Sequence, residues 1–208
     1  MSSLPSILIT QRIVYESSIG ETRDAIDHRF VDWVIKIGGL PQLMPNNLGD
    51  LLRNWLDELK PSAVVLSGGN DIGEFPERDR TEAVIIEYAK KKNIPLLGIC
   101  RGAQVMANIG GVEIVPVKKH VCTNHLLIGK EVELGLLPSE VNSFHNLGML
   151  KCPKDYRVLA TCSDGVIEAF QHKKLPWEAW MWHPEREKPF RKLELDRAKK
   201  LLIKGCEL

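Results

Sequence analysis

The 208-residue chain is 44% hydrophobic, a length and composition typical of one globular domain with a sizeable core. Its 28 Lys and Arg residues balance 27 Asp and Glu residues, which gives no reason to expect a nucleic-acid or membrane-surface partner. No apolar run approaches the roughly 20 residues of a membrane helix, and the first residues lack the basic start and long apolar core of a signal peptide. We therefore expect a cytoplasmic protein with one domain over residues 1–208.

Cysteine usage points to a reducing compartment. The chain contains five cysteines, and no two of them form a CxxC pair; they are Cys100, Cys122, Cys152, Cys162 and Cys206. An odd, scattered set argues against both a disulfide framework and a zinc site. The sequence thus predicts no metal site.

The first half of the chain alternates apolar strand patterns with amphipathic helix patterns. The predicted strands are Ser6–Gln11, Leu40–Pro45, Ala63–Gly69 and Pro95–Cys100. The predicted helices are Arg23–Ile37, Asp50–Leu59 with Asp50 as N-cap, and Thr81–Lys92 with Glu82 on its exposed side. This alternation predicts an α/β fold with a mostly parallel central sheet covered by helices on both faces.

The second half has a different pattern of short strand-like segments separated by turn residues. These segments are Glu113–Val117, Ser139–Phe144, Tyr156–Cys162, Gly165–Phe170 and Glu178–Trp182. They predict antiparallel additions to the sheet or separate hairpins. A closing helix is predicted over Lys192–Lys204, with Leu195, Ala198, Leu201 and Leu202 facing inward.

A glycine-flanked thiol stands where a predicted strand becomes a helix. The segment reads GICRG, with Cys100 at its centre. This spacing is typical of a nucleophile elbow, in which glycines allow close backbone packing and the helix N-terminus favours a thiolate. The competing interpretation is a structural turn with a buried thiol.

A base candidate follows the last predicted strand. His183 precedes a proline and stands two residues before Glu185, which can orient the imidazole. Alone, this His-Pro-Glu segment is more typical of an ordinary loop. Because the carboxyl ends of parallel strands meet at one edge of a sheet, the two segments together favour a Cys-His-Glu triad.

The motifs GICRGAQ and MWHPE resemble those of the class I glutamine amidotransferase fold. With LSGGND and VNSFHN, the chain is most similar to the gamma-glutamyl hydrolase branch of that fold. The resemblance covers nearly the whole chain. The motifs identify the fold and the catalytic triad specifically, but they identify the substrate much less specifically.

The resemblance implies roles for individual residues. Cys100 matches the nucleophile, His183 the base and Glu185 its partner, and the oxyanion hole falls to the backbone N–H groups of Gly69 and Arg101. The substrate-holding positions match Gln104, Ser143 and His145. For Gln104 a helix-capping or an exposed position stays open, and for His145 a solvated or a core position stays open. His120, His125 and His28 have no motif support and are interpreted as structural.

The implied reaction is hydrolysis of a small-molecule gamma-glutamyl amide through a glutamyl thioester, with no metal or cofactor. The most similar members include stand-alone proteins of capsule gene sets, one type of which hydrolyses gamma-glutamyl-CDP-amidate. A gamma-glutamyl conjugate of another amine is the competing substrate. Two alternative functions also remain: a glutaminase subunit that delivers ammonia to a synthetase, and a catalytically inactive binding or regulatory module. The sequence also leaves open whether the chain forms a homodimer.

Arginines near the predicted strand ends suggest an anionic leaving group. Arginine can hold phosphate with two parallel N–H bonds. Arg12 and Arg23 are the first candidates, and Arg78, Arg80 and Arg186 are secondary ones. The competing interpretation of each is a solvated surface charge.

Overall fold

The computed structural model describes residues 4–203, which form a central seven-stranded sheet flanked by helices and three small two-stranded sheets. The strands in that range are β1 (Ser6–Thr10), β2 (Arg12–Glu16), β3 (Glu21–Ala25), β4 (Leu40–Met44), β5 (Ala63–Leu66), β6 (Leu96–Ile99), β7 (Val115–Pro116), β8 (Val121–Leu126), β9 (Glu140–Phe144), β10 (Leu147–Gly148), β11 (Tyr156–Thr161), β12 (Ile167–His172) and β13 (Trp177–Trp180). The helices are α1 (His28–Ile37), α2 (Leu52–Leu59), α3 (Pro76–Lys92), α4 (Arg101–Ile109), α5 (Lys130–Glu133) and α6 (Lys192–Leu202). Short 3-10 turns cover Gly49–Leu51 and Pro184–Arg186.

The central sheet has the strand order β11-β12-β13-β6-β5-β1-β4. The five strands from β13 to β4 are parallel to one another, whereas β12 and β11 add to that edge in antiparallel orientation. This arrangement confirms the predicted mostly parallel α/β fold with antiparallel additions in the second half.

Both faces of the sheet are buried. Along β5, Val64 and Leu66 pack on the layer formed with α2, α3 and α4, while Ala63 and Val65 pack on the layer with α1 and α6. A strand buried on both faces needs a continuous apolar run, which explains the sequence AVVL in β5.

The register of the parallel strands brings three chain segments to one edge of the sheet. Leu66 of β5 pairs with Gly98 of β6, and Ile99 pairs with Trp180 of β13. The residues that follow these strands therefore meet beyond their carboxyl ends, where ligands bind in open parallel sheets.

The predicted helix over Arg23–Ile37 begins later than expected. Residues 21–25 form β3, which pairs with β2 in a hairpin, and the helix begins at His28 with Asp27 as its N-cap. The Asp27 carboxylate accepts a hydrogen bond of 2.9 Å from the Arg29 backbone N–H, which satisfies one free donor of the first turn.

Two other helix starts also differ from the prediction. Asp50 is not an N-cap, because it lies in a 3-10 turn that leads into α2 at Leu52 without a side-chain cap. The helix predicted from Thr81 begins at Pro76, whose fixed φ suits the first turn. Within that helix Glu82 is fully buried rather than exposed.

The closing helix ends at Leu202, and the predicted end at Lys204 lies outside the described residues, as does Cys206. None of the helices within residues 4–203 combines the length and apolar character that a bilayer crossing requires.

Candidate active site

Cys100 occupies a strained elbow between β6 and α4. Its φ of 51° and ψ of −105° are unusual for a non-glycine residue and cost on the order of 1–3 kcal/mol. Its backbone N–H donates to the Trp180 carbonyl at 2.7 Å, and its own carbonyl accepts from the Gln104 N–H at 3.1 Å. The surrounding fold therefore holds the thiol in a conformation that the residue alone would not favour.

The glycines on either side of Cys100 are required by close packing. A Cβ at Gly102 would lie 2.3 Å from the Leu66 carbonyl oxygen, and one at Gly98 would lie 2.6 Å from the Met106 sulfur. Helix α4 thus approaches the sheet more closely than any side chain would allow, which agrees with the elbow interpretation of GICRG.

His183 and Glu185 form a buried pair directly after β13. The imidazole Nδ1 lies 2.6 Å from Oε1 of Glu185, and both residues are 3% exposed. A Cβ at Gly68 would fall 2.7 Å from Cε1 of His183 and 3.6 Å from Cβ of Cys100. Only a glycine at this position therefore leaves room for the imidazole, and Cys100 lies directly beside it.

The charge state of His183 follows from two opposing effects. Burial disfavours the imidazolium, but the Glu185 carboxylate and the charge and hydrogen bond of Cys100 outweigh it and raise the pKa of His183 to about 9. The imidazole is therefore protonated at neutral pH, next to the sulfur.

The sequence did not indicate that Asn142 positions His183. Its Oδ1 accepts from the His183 backbone N–H at 2.9 Å, and its Nδ2 donates to the His183 carbonyl at 2.8 Å and to Glu187 at 2.7 Å. Phe144, two residues along the same strand, packs edge-on against the imidazole at 5.9 Å between ring centroids. The motif VNSFHN contains both residues, so the sequence marked the segment but not these contacts.

Arg78 shapes the glycine turn after β5. Its fully buried guanidinium donates to three consecutive carbonyls, those of Ser67, Gly68 and Gly69, at 3.0, 3.0 and 2.7 Å, and pairs with Glu82 at 3.1 Å. In a trans peptide the N–H points opposite to the carbonyl of the preceding residue. The N–H of Gly69 therefore points away from Arg78.

This contact corrects one secondary prediction. The guanidinium N–H groups of Arg78 donate to internal carbonyls, so Arg78 is not available as a phosphate ligand. The i,i+4 spacing of Arg78 and Glu82 is the sequence feature that could have indicated the pair.

Arg101 is the other residue whose backbone N–H is predicted to be an oxyanion donor. Its backbone N–H belongs to the first turn of α4, where N–H groups have no partner within the helix. Its buried side chain turns away and forms ion pairs with Glu82 and Asp79. Arg78 and Arg101 thus share the Glu82 carboxylate beneath the site.

The structure does not bring the three predicted substrate-holding residues to the open cavity. Gln104 donates to the Leu147 carbonyl at 2.9 Å, and Nδ1 of His145 lies 3.0 Å from the same oxygen. The Ser143 hydroxyl donates to the His120 carbonyl at 2.6 Å. All three are buried, and each makes one of these hydrogen bonds within the protein.

A surface cavity opens beside His183 and the glycine turn. Its lining residues are Arg12, Ala25, Ile26, Asp27, Phe30, Ser67, Gly68, Gly69, His183, Glu185 and Arg186. Arg12 packs against Gly69, since a Cβ there would lie 3.1 Å from the Arg12 Cδ. Arg186 lies over the Phe144 ring at 4.4 Å.

Of the two arginines predicted first as anion ligands, only Arg12 lies at this cavity. Within residues 4–203 its side chain has no hydrogen-bond or ion-pair partner. Arg23 lies in β3, where its guanidinium pairs with Glu21 at 2.6 Å, and it does not line the cavity. Residues 21–25 form a mostly exposed strand and not the start of a helix, and Arg23 is exposed on that strand.

The sheet order and the elbow at its carboxyl edge are those of a hydrolase of the class I glutamine amidotransferase-like type. Residues 7–185 match the Peptidase C26 family, and the chain belongs to that family. The resemblance drawn from the sequence motifs and the predicted hydrolase class are thereby confirmed.

Two curated relatives and one solved structure extend this assignment. Over 139 residues the chain is 37% identical to gamma-glutamyl-CDP-amidate hydrolase of Campylobacter jejuni, an alignment that covers 64% of this chain and spans 66% of that relative. It is 28% identical over 204 residues to gamma-glutamyl-gamma-aminobutyrate hydrolase of Escherichia coli O157:H7, with 80% of each chain covered. A crystal structure of a GMP synthase subunit from Thermoplasma acidophilum superposes with a TM-score of 0.73 at 25% identity, over 100% of this chain and 96% of that one.

Proposed function

We propose that this protein hydrolyses a gamma-glutamyl amide through a glutamyl thioester on Cys100, with His183 as acid and base and Glu185 as its orienting partner. The observation that carries the proposal is the buried His183–Glu185 pair, whose imidazole interacts with a cysteine held at a strained elbow. Catalysis of this kind requires a nucleophile, a base and a group that orients the base.

In the first step the Cys100 thiolate attacks the δ-carbonyl carbon of the gamma-glutamyl group. The imidazolium of His183 stabilises the thiolate before the attack and then gives its proton to the leaving nitrogen. The C–N bond breaks, the amine or amidate leaves with that proton, and the glutamyl group remains on sulfur. The raised pKa of His183 suits this role, because the proton is present at neutral pH.

The tetrahedral intermediate carries a negative oxygen that needs donors. The N–H of Gly69, directed away from Arg78, and the N–H of Arg101 at the start of α4 are suited to bind it. One such donor is worth roughly 3 kcal/mol in the transition state. Arg78 contributes by fixing the peptide that carries one of them.

In the second step water attacks the thioester. Neutral His183 removes one proton from the water as the C–O bond forms, and the C–S bond then breaks to restore the thiolate and the imidazolium. The new carboxylic acid loses the second proton to solvent and leaves as glutamate. Gln104, Ser143 and His145 act in this proposal as positioning residues, since they hold the chain segment beside the site through internal hydrogen bonds.

The leaving group in this proposal is anionic, as in gamma-glutamyl-CDP-amidate. Arg12 and Arg186 line the same cavity as His183, and Arg12 has its donors free within the described residues. The similarity to the Campylobacter enzyme supports this substrate. A cytoplasmic role in capsule phosphoramidate synthesis is part of the proposal and rests on the motif resemblance.

A glutaminase that serves a separate synthetase is the second candidate, because the chain is also similar to a GMP synthase subunit from Thermoplasma acidophilum. Such a subunit would use the same thioester chemistry on glutamine and pass ammonia to its synthetase. It would show little activity alone and strong activation by its partner.

A panel of gamma-glutamyl amides tests both candidates, with glutamate release by the purified full chain as the readout. The panel contains glutamine, an uncharged gamma-glutamyl amine and gamma-glutamyl-CDP-amidate. We expect turnover of the amidate without any partner protein at more than about 1 s⁻¹. Slow hydrolysis of every conjugate, together with activation of glutamine hydrolysis by an added synthetase, would favour the second candidate instead.

A further inference from the structure

A second cluster of reactive side chains lies outside the cavity described above. It consists of His120, His125, His145 and Glu168, whose candidate ligand atoms all lie within 4.8 Å of one another. His120 precedes β8, His125 lies in β8, His145 follows β9 and Glu168 lies in β12. The fold thus gathers three imidazoles and one carboxylate from four positions along the chain.

The hydrogen bonds of two imidazoles indicate which nitrogen carries the proton. Nδ1 of His145 lies 3.0 Å from the Leu147 carbonyl, and Nε2 of His120 lies 2.9 Å from the Asp164 carboxylate. Both oxygens accept hydrogen bonds, so each of these nitrogens is the N–H of its ring. In the neutral imidazoles the other nitrogens, Nδ1 of His120 and Nε2 of His145, present lone pairs.

Those two lone pairs face the same carboxylate oxygen. Oε1 of Glu168 is 3.5 Å from Nδ1 of His120 and 3.5 Å from Nε2 of His145. Neither nitrogen has a hydrogen-bond partner within residues 4–203, and the same holds for Nε2 of His125. Oε1 of Glu168 also accepts from the Cys162 thiol at 3.0 Å, and this buried carboxylate requires a positive charge beside it, either an imidazolium proton or a metal ion.

We propose that His120, His125, His145 and Glu168 bind a divalent transition metal, most suitably Zn²⁺. In tetrahedral zinc sites, metal–ligand bonds of about 2.0–2.2 Å place the ligand atoms about 3.4 Å apart. The two 3.5 Å separations already match that spacing, and the other ligand atoms lie within 4.8 Å of one another, so metal binding requires them to approach by at most about 1.4 Å. Imidazole and carboxylate are also ligands that zinc accepts.

The surroundings resemble the outer layer of a zinc site. A metal-bound imidazole commonly donates its other N–H to a carboxylate or a backbone carbonyl, which fixes its orientation. Asp164 does so for His120, and the Leu147 carbonyl does so for His145. Glu168 and the two imidazoles are at most 3% exposed, whereas His125 is only partly buried and gives the ion a way in.

The metal would act on structure and not on the reacting atoms. Four protein ligands leave no open position for a substrate, which is typical of structural zinc. The ion would tie the β8–β9 hairpin to β12 of the central sheet. β9 also carries Asn142, which binds the His183 backbone. Metal binding would therefore also help to hold His183 in position without contacting it.

Direct metal binding tests the proposal with the full chain in a Cys100→Ala background, so that the thiol beside His183 offers no second site. The protein is freed of metal with a chelator and titrated with Zn²⁺ against a chromophoric competitor. We expect one equivalent per chain and a higher melting temperature on binding. Co²⁺ should give the visible spectrum of a four-coordinate site.

Variants separate this site from adventitious binding. His125→Ala should weaken Zn²⁺ binding by more than about 100-fold and abolish the shift in melting temperature, and Asp164→Asn should weaken binding about 10- to 100-fold. His28→Ala, which removes an exposed histidine elsewhere, should match the background protein. His125 is partly exposed, so its variant should fold. Binding well below one equivalent, or equal affinity in the His125→Ala and His28→Ala proteins, would overturn the proposal.

Discussion

The Asn142 side chain binds both backbone groups of His183: its Oδ1 accepts from the N–H at 2.9 Å, and its Nδ2 donates to the carbonyl at 2.8 Å. Glu185 fixes the imidazole itself through a 2.6 Å contact with Nδ1. His183 is thus held at its backbone by Asn142 and at its ring by Glu185. The ring contact controls the charge and tautomer of the imidazole, whereas the backbone contact controls its location.

The first prediction separates the roles of His183 and Glu185. His183→Asn should lower kcat/KM by about 10⁵-fold or more, because it removes the proton donor. Glu185→Gln should cost less, about 10³- to 10⁴-fold, because it alters only the orientation and charge of the ring. Steady-state kinetics of the two variants on one gamma-glutamyl substrate make the comparison. A larger loss in Glu185→Gln than in His183→Asn would reverse the assigned roles.

The second prediction concerns Cys100. Cys100→Ala should abolish glutamate release with the fold intact, and mass spectrometry of the wild-type enzyme during turnover should detect a glutamyl adduct on that residue. The same variant should lower the pKa of His183, since Cys100 is one of the groups that raise it. Titration of the imidazole by NMR measures this shift, with His183→Asn used for assignment. Full activity in Cys100→Ala would contradict the proposed thioester mechanism.

The sheet and the elbow could be predicted from the sequence because both depend on local patterns. Buried parallel strands require apolar runs such as AVVL, and the close approach of α4 requires the glycines at 98 and 102. His183 and Glu185 are neighbours in sequence, so their contact follows from a short motif. Local chemistry is sufficient for these features.

Features that depend on distant contacts could not be predicted in this way. In the β2–β3 hairpin only Ile13 is buried, so the hairpin carries no alternating apolar pattern and its second strand resembles the start of the following helix. In the sequence Arg78 resembles an exposed charged residue. Its internal role follows only from the fold, which brings the carbonyls of residues 67–69 next to the first turn of α3. The histidine cluster is likewise assembled from residues up to 48 positions apart in sequence, between His120 and Glu168.

The third prediction tests the role of Arg78. Arg78→Lys keeps the charge but loses the planar group that reaches three carbonyls, and should lower the free energy of unfolding by roughly 2–4 kcal/mol. It should also reduce kcat, because the Gly69 N–H loses its fixed direction. Arg80→Lys, on the exposed side of the same helix, is the matched control and should change stability by less than about 0.5 kcal/mol. Similar denaturation curves for the two variants would contradict the prediction.

The fourth prediction concerns the leaving group. Arg12→Ala should raise KM about tenfold for a phosphate-bearing gamma-glutamyl substrate, because a charge-assisted hydrogen bond is lost, and should leave KM for an uncharged amide nearly unchanged. Arg23→Ala is the control on the same hairpin, since its side chain pairs with Glu21 and does not line the cavity. Equal effects of Arg12→Ala on the two substrates would remove the case for an anionic leaving group at this arginine.

The last prediction concerns a buried carboxyl group away from the reacting atoms. Glu194 in α6 accepts a hydrogen bond of 2.8 Å from the Trp182 indole and is 2% exposed. Burial is the main cause that raises its pKa to about 7, with Arg191 opposing and the charge of Glu187 adding to the rise. The folded state therefore favours the neutral acid, so the stability that this group contributes is present below pH 4.5 and is lost as the pH rises through about 7.

Glu194→Gln keeps an acceptor for the Trp182 indole and removes the titrating group. At pH 8.5 the free energy of unfolding of the variant should be roughly 2–3 kcal/mol higher than that of the wild type, because the folded wild type must then bury a charge or bind a proton. Near pH 4.5 the two proteins should agree within about 0.5 kcal/mol, since Glu194 is then neutral in the folded wild type. Chemical denaturation at the two pH values measures the difference, with the exposed Glu58→Gln as control. A gain of the same size at both pH values would show that packing, and not ionisation of Glu194, separates the variant from the wild type.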